Sequence, residues 1–331
     1  MTRTIAATIA LALAGQTAPG AQGASESPVT LRTPSGTIAG TLTAPAAPGK
    51  VPVALIIAGS GPTDRDGNSS ALPEKNNAYK LLATALAASG VASVRYDKRG
   101  IGESQAAAAG GEAALRFDTY IDDAAAWVDQ LHRDPRFSKV IVVGHSEGSL
   151  IGMIAGRKAK AEGFVSIAGP ARRASDTIRD QLRPQLATLP ELQKSSESIL
   201  AALEAGTVVD PLPQAVQSVP GLASLFRPSV QPYLISWLKY VPATEIAALT
   251  MPVLIVQGTT DIQVDPGEAK ALLKAAKPST EVLLINGMNH VMKEAPADRA
   301  QNLAAYSDPN LPIVPEVPRA IVALARRIGT P

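Results

Sequence analysis

A chain of 331 residues with 46% hydrophobic and 18% charged residues has the balance of a globular protein with a sizeable core, which excludes intrinsic disorder. Aromatic residues make up only 4%, so that core is mainly aliphatic. Lys and Arg number 31 against 29 Asp and Glu, a net +2 without a basic block, so the footprint of a nucleic-acid binder is absent; the lack of cysteine excludes disulfides, thiolate metal sites and a cysteine nucleophile.

In chain order, residues 1–23 come first. Met1-Thr2-Arg3, the apolar run from Ile5 to Gly15 and Ala21-Gln22-Gly23 before Ala24 have the layout of a secretory signal peptide. The expected location is therefore secreted or periplasmic. The apolar run is shorter than the ~20 residues of a spanning helix, so no stable membrane insertion is expected after cleavage. Val29 to Thr33 and Thr37 to Leu42 flank Pro34-Ser35-Gly36 and predict a hairpin. Four short apolar runs follow, Val53 to Ala58, Val91 to Tyr96, Val140 to Val143 and Phe164 to Ala168, each predicting a strand buried on both faces of a parallel sheet. Ala-rich stretches with helical spacing lie between them, at Asn76 to Ser89, Thr119 to Leu131 and Ser149 to Glu162. Strand and helix alternate, which makes the fold class α/β.

From about Pro170 to Tyr240 the alternation stops in favour of short, proline-punctuated helical fragments. It resumes with strands at Val253 to Gln257 and Val282 to Ile285, and with helices at Glu268 to Ala276 and Val317 to Ile328. The expected organisation is thus a core in two parts, 24–169 and 241–331, interrupted by a helical insertion over 170–240.

The apolar strand ending at Val143 runs into Gly144-His145-Ser146-Glu147-Gly148, and a helix follows. That is the setting of a nucleophile elbow, G-x-S-x-G, in which small neighbours let the chain turn sharply and expose the serine oxygen. A serine hydroxyl needs a base and a group to orient that base. Of three histidines, His145 adjoins Ser146 and would point away, and His132 sits before the strand in a predicted surface turn. His290, in a polar loop after a strand, is the candidate base. Asp261 follows the strand ending at Val256 and falls between nucleophile and base, which makes it the candidate acid. Asp265, before Pro266, reads more simply as a helix cap. An oxyanion hole needs two amides, expected from Glu147 and from Ser60 in the loop Ala58-Gly59-Ser60-Gly61-Pro62. That loop lacks the Gly-Lys-Ser/Thr ending of a P-loop, and Gly100-Ile101-Gly102 lacks the third glycine of a dinucleotide site. Asp64-Arg65-Asp66 and Asp97-Lys98-Arg99 read as ion pairs and turn caps; a role for Arg65 or Arg99 in binding an anionic substrate group is the alternative. Met288, Met292, Trp237 and Tyr233 read as core or cap packing, with a substrate pocket as the alternative.

Gly59 to Asn68, Arg95-Tyr96-Asp97-Lys98-Arg99-Gly100 and Gly144 to Gly148 together resemble the α/β-hydrolase superfamily, in particular bacterial serine carboxylesterases. The resemblance spans nearly everything after residue 23 except the insertion. It implies an α/β-hydrolase fold with a mostly parallel sheet, a helical cap formed by the insertion, a small-molecule ester substrate, and neither metal nor organic cofactor. Many relatives place His before the oxyanion-loop glycine, where this chain has Ala58. Amide, peptide and thioester cleavage stay open, since one triad serves all acyl transfers, as does a non-catalytic binding role on the same scaffold. Epoxide hydrolases and dehalogenases of this fold carry Asp at the elbow, and Ser146 argues against both.

Overall fold

The computed structural model describes residues 24–70, 72 and 75–328, so the expected signal peptide lies outside the described residues. Ser25–Thr33 (β1) and Gly36–Ala44 (β2) form the hairpin, closed by the Thr33 hydroxyl on the Gly36 carbonyl at 2.7 Å. The sheet continues with Val51–Ile57 (β3), Ala92–Tyr96 (β4), Phe137–His145 (β5), Gly163–Ile167 (β6), Val253–Gly258 (β7) and Glu281–Ile285 (β8). Its order is β1-β2-β4-β3-β5-β6-β7-β8, antiparallel through the hairpin and at β2–β4, and parallel from β4 to β8.

The apolar runs are continuous because both faces of the parallel strands are covered. Along β3, Val53, Leu55 and Ile57 enter one core with Trp127, Leu150 and Ile151, whereas Ala54 and Ile56 enter the other with Leu82, Leu86 and Ile321. Phe117–Arg133 (α2) and Glu147–Lys158 (α3) cover the first face, and Ala78–Ala88 (α1) with the last helix cover the second. His132 sits in the last turn of α2, half exposed beside Glu162 at 3.2 Å, rather than in a turn. The helix simply runs two residues past Leu131.

Between β6 and β7 come six helices: Ala174–Leu186 (α4), Pro190–Glu204 (α5), Gln214–Gln217 (α6), Pro220–Phe226 (α7), Gln231–Trp237 (α8) and Pro242–Ala247 (α9). Four of them open on proline in the first turn, where the missing N–H has no helical partner to lose. The two ends of this segment meet. The Ala243 amide donates to the Ala171 carbonyl at 3.0 Å, and the Ala171 amide donates to the buried Glu268 carboxylate at 2.7 Å. Glu268 belongs to Gly267–Ala275 (α10); Arg299–Ala304 (α11) and Glu316–Ile328 (α12) complete the chain. Asp265 accepts the Gly267 amide at 2.7 Å at the start of α10, the geometry of a cap. No helix of the described residues is long and apolar enough to cross a membrane.

Candidate active site

The elbow forms where β5, at the centre of the sheet, turns into α3. A Cβ on Gly144 would collide with the Gly148 carbonyl, and one on Gly148 with the carbonyls of Ile57 and Ala58. Both positions therefore need glycine for space, not for backbone freedom. Between them Ser146 adopts φ 54° and ψ −122°, a conformation that costs a non-glycine residue roughly 1–3 kcal/mol. Its amide is held by the Ile167 carbonyl at 2.9 Å, and its own carbonyl accepts from Ser149 at 2.9 Å. The surrounding sheet thus holds the strained residue in place.

His290 reaches the same cleft from the loop after β8, and Asp261 approaches from the loop after β7. Nδ1 of His290 lies 2.9 Å from Oδ2 of Asp261, both side chains buried. Burial alone would raise the Asp261 carboxyl. The charge and hydrogen bond of His290 and the amides of Val264 and Gln263 outweigh that, and hold it below the usual carboxylate range. A carboxylate that stays ionised at Nδ1 keeps that nitrogen protonated and leaves Nε2 free to accept a proton. His290 and Ser146 line one cavity together.

The residue before the serine does more than turn the chain. Nε2 of His145 lies 2.8 Å from the His290 carbonyl, which can only accept, so Nε2 carries the hydrogen. Nδ1 is then bare and accepts from the Tyr79 hydroxyl at 2.7 Å; that hydroxyl in turn accepts the Gly59 amide at 3.1 Å. A buried chain of hydrogen bonds therefore runs from the loop after β3, behind the serine, to the loop carrying His290. Burial and the neighbouring His290 push the His145 imidazole down to about 3, against the weaker opposing pull of the His290 carbonyl and Asp261, which keeps it neutral.

Of the two amides expected at an oxyanion hole, one follows Ser146 directly in the chain and the other lies in the loop after β3, where Ser60 lines the same cavities as Ser146. That of Glu147 is the first of α3, where no preceding turn supplies a carbonyl. That of Ser60 shares a planar peptide with the Gly59 carbonyl, and Nζ of Lys98 donates to that carbonyl at 2.7 Å. In a trans peptide the C=O and N–H point in opposite directions, so Lys98 sets the direction of the Ser60 amide. The same ammonium pairs with the Glu147 carboxylate at 2.7 Å, with both side chains nearly inaccessible. Lys98 was legible in the sequence only as one charge in a cluster; its link to the two loops is visible only in space.

The other charges of these clusters are used structurally. Arg99 spends all five N–H groups, on Asp123, Ser35, Thr33 and the Ala107 carbonyl. Arg95 bonds Asp66, Thr43 and Glu26, and Arg65 bonds Asp97, Glu103 and Thr41. Arg99 has no N–H left for a substrate anion, and Arg65 lines neither of the two cavities that open at Ser146. Met288 and Met292 are wholly buried in the core, whereas Tyr233 and Trp237 face a cavity.

Two cavities open at Ser146. The smaller, about 360 Å³, contains His290 and has a mixed lining in which Asn76, Gln263 and Arg299 stand beside Leu72, Ile262 and Val291; the larger, about 760 Å³, lies between the sheet edge and helices α4, α7 and α8. Among the described residues only Ser60, Ser146 and Gln181 line both.

A family model described as serine aminopeptidase, S33, matches residues 72–208, a stretch that contains Ser146 but ends before Asp261 and His290. Esterase EstD of Thermotoga maritima is 28% identical over 257 residues, covering 76% of this chain and 57% of its own length. The chain thus spans little more than half of that relative. Among solved structures, Est1E of Butyrivibrio proteoclasticus, seen with ferulic acid bound, superposes with TM-score 0.59 at 17% identity over 90% of this chain and 99% of its own. The α/β hydrolase GrgF of a Penicillium species gives 0.58 at 17% identity over 92% and 98%. The chain has the α/β-hydrolase fold.

Proposed function

We propose that this α/β-hydrolase is a serine esterase working through Ser146, His290 and Asp261. The observation that carries the reading is the meeting in one cleft of a serine on a strained strand-to-helix turn and a histidine whose far nitrogen is held by a buried, ionised aspartate. In the proposed cycle Nε2 of His290 takes the Ser146 proton as Oγ bonds to the ester carbonyl carbon. The carbonyl electrons move onto oxygen, between the amides of Ser60 and Glu147. The oxyanion then collapses, the alkoxy group leaves with the proton from His290, and an acyl-serine remains. Water, deprotonated by His290, repeats the sequence and releases the carboxylic acid with Ser146 restored. Asp261 keeps the imidazole in the required tautomer throughout.

A peptidase reading has the family model in its favour. An aminopeptidase must hold a free ammonium on the acyl side of the scissile bond, which calls for an uncommitted carboxylate. Glu147 is paired with Lys98, and Glu112 with Arg227 and Ser229; these are the carboxylates among the described residues lining either cavity. Ester cleavage, which needs no such anchor, fits the cavities better. We propose further that residues 1–23 direct secretion or export to the periplasm, which N-terminal sequencing of the mature protein tests.

The decisive experiment treats the purified protein and Ser146→Ala with a fluorophosphonate probe, and then assays both on a panel of esters and aminoacyl amides. Labelling and ester turnover in the wild type alone are expected. Equal labelling of both proteins would remove Ser146 from the mechanism, and turnover of amides in preference to esters would favour the peptidase.

A further inference from the structure

We infer that Gln257 is a positioning residue of the proposed triad: from inside the sheet its carboxamide holds Oδ2 of Asp261, and so fixes the plane in which that carboxylate meets Nδ1 of His290. The inference rests on the reading of Ser146, His290 and Asp261 as a triad, and adds a fourth side chain to it.

The starting point is a polar side chain in an apolar strand. In β7, Val253, Leu254, Ile255 and Val256 are followed by Gln257, which is 1% exposed. A carboxamide taken out of water has to find its hydrogen bonds in the interior. Nε2 of Gln257 finds them: it donates to Oδ2 of Asp261 at 3.0 Å, and faces the carbonyls of Gly258 and Val264 at 3.3 Å each. Oε1 has no partner among the described residues. Acceptors gathered at one end of the amide fix its nitrogen toward Asp261. The shortest of the three contacts is the one to the carboxylate, and a hydrogen bond to an ionised group is also the stronger kind.

A carboxylate has room for about four donors, and the fold supplies four. Oδ1 of Asp261 accepts the amides of Gln263 at 2.8 Å and Val264 at 3.0 Å, while Oδ2 faces Gln257 at 3.0 Å and Nδ1 of His290 at 2.9 Å. Two of these donors belong to the loop that carries Asp261, and the third is the base itself. Gln257 alone is anchored in the sheet, on a strand paired on both sides by β6 and β8. It ties the acid to the rigid part of the fold. The bond also has an electrostatic consequence. An oxygen shared between two donors attracts the Nδ1 hydrogen of an imidazolium less than an oxygen with one donor, so Gln257 helps His290 to give up its proton. The other ionisable groups around this pair are His145, held neutral with its ring centroid 4.7 Å from that of His290, Arg299 in the cavity wall, and Tyr306, whose hydroxyl accepts from the Gln263 side chain. None of the three bonds Asp261 among the described residues.

An unbranched apolar side chain of similar length would serve packing equally well, so the test removes the donor and keeps the volume. The rate at which a fluorophosphonate labels Ser146 of the full chain is followed from about pH 5 to pH 9 in wild type, Gln257→Met and Gln257→Leu, with circular dichroism as the check on folding; labelling needs the base but not the natural substrate. The two variants share the loss of the N–H and differ in shape. Both are expected to label about 3–10-fold more slowly on the plateau, and to reach half of their plateau rate at a pH higher by about 0.5. On 4-nitrophenyl butyrate the loss should fall on kcat, with KM within about twofold of wild type. Wild-type rates and midpoint in the variants would overturn the inference. So would a slower plateau with an unmoved midpoint, the mark of altered packing, and so would failure of both variants to fold, which would assign Gln257 to the sheet alone. The esterase reading falls on a different result, equal labelling of wild type and Ser146→Ala.

Discussion

Protonating His145 would break the hydrogen-bond chain behind the serine, and acid should therefore unfold this protein through that residue. Its Nδ1 faces a hydroxyl that already accepts from Gly59, and Nε2 already donates to the His290 carbonyl. A second ring proton would have to compete for the Tyr79 oxygen, in a buried site beside His290. The imidazole is accordingly pushed down to about 3 in the folded state, from about 6.5 in an unfolded chain. The direction follows from proton counting. Above pH ~6.5 neither state is protonated and the full stability is present; as pH falls from there toward the folded value, the unfolded chain binds a proton that the native state refuses. Stability should then drop by roughly 1.4 kcal/mol per pH unit, which reaches about 3 kcal/mol at pH 4. That is a large share of a typical ~5–15 kcal/mol. His145→Gln supplies the control, since a glutamine amide can accept from Tyr79 and donate to His290 without titrating. Urea unfolding of both proteins from pH 7 to pH 4 gives the difference directly, and the acid effects of the carboxylates cancel. A wild-type minus variant difference that stays level across that range would refute the reasoning.

Three further substitutions have definite expected outcomes. Asp261→Asn should lower kcat by about 10³–10⁴-fold, because an amide at Nδ1 favours the wrong tautomer, with the circular dichroism spectrum of wild type as the check on folding. The depressed Asp261 carboxyl also contributes stability that is present above the ordinary carboxylate range and is lost as pH falls through its folded value, so an Asp261→Asn protein should show a shallower loss below pH ~4 in the same urea series. Lys98→Gln should reduce kcat by about 10²–10³-fold with a smaller change in KM, the pattern of a disturbed oxyanion donor; an effect on KM alone would count against the peptide-orienting role. Arg99→Leu should cost about 3–5 kcal/mol in urea unfolding by stranding the buried Asp123, whose carboxyl burial already raises despite the pairing.

Parallel strands buried on both faces advertise themselves as apolar runs, so β3 to β7 and the helices between them were readable from hydrophobicity alone. The elbow was readable because its two glycines answer a local steric need. Asp261 and His290 could be nominated from chain order, since the fold returns to the sheet in sequence. What stayed hidden depends on contacts between segments far apart in the chain. His145 seemed to be a spacer because nothing in Gly144-His145-Ser146 reveals that Tyr79 and the His290 carbonyl wait on either side of its ring. Lys98 read as one member of a cluster of ion pairs and turn caps, and nothing in the sequence told that a peptide carbonyl of the loop after β3 and the carboxylate at the start of α3 converge on it. The short helix α11 escaped notice because six polar and small residues carry too little periodicity to register.

The hydrogen bond from Ala243 to the Ala171 carbonyl closes the helical segment into a loop whose two ends touch. None of the residues that align the chemistry, Gly59, Tyr79, Lys98, His145, Glu147, Asp261 and His290, comes from between those ends. A segment whose two ends meet can be lengthened at little cost in chain closure, since each doubling of a closed loop costs only about 0.6 kcal/mol, provided a replacement also covers the core and meets Glu112, Phe117, Asp118 and Gln263, which bond this one. The molecule is in that sense a fixed tool with a replaceable head: new substrate ranges can be tried by grafting other segments between Ala171 and Ala243 while the machinery beneath keeps its settings.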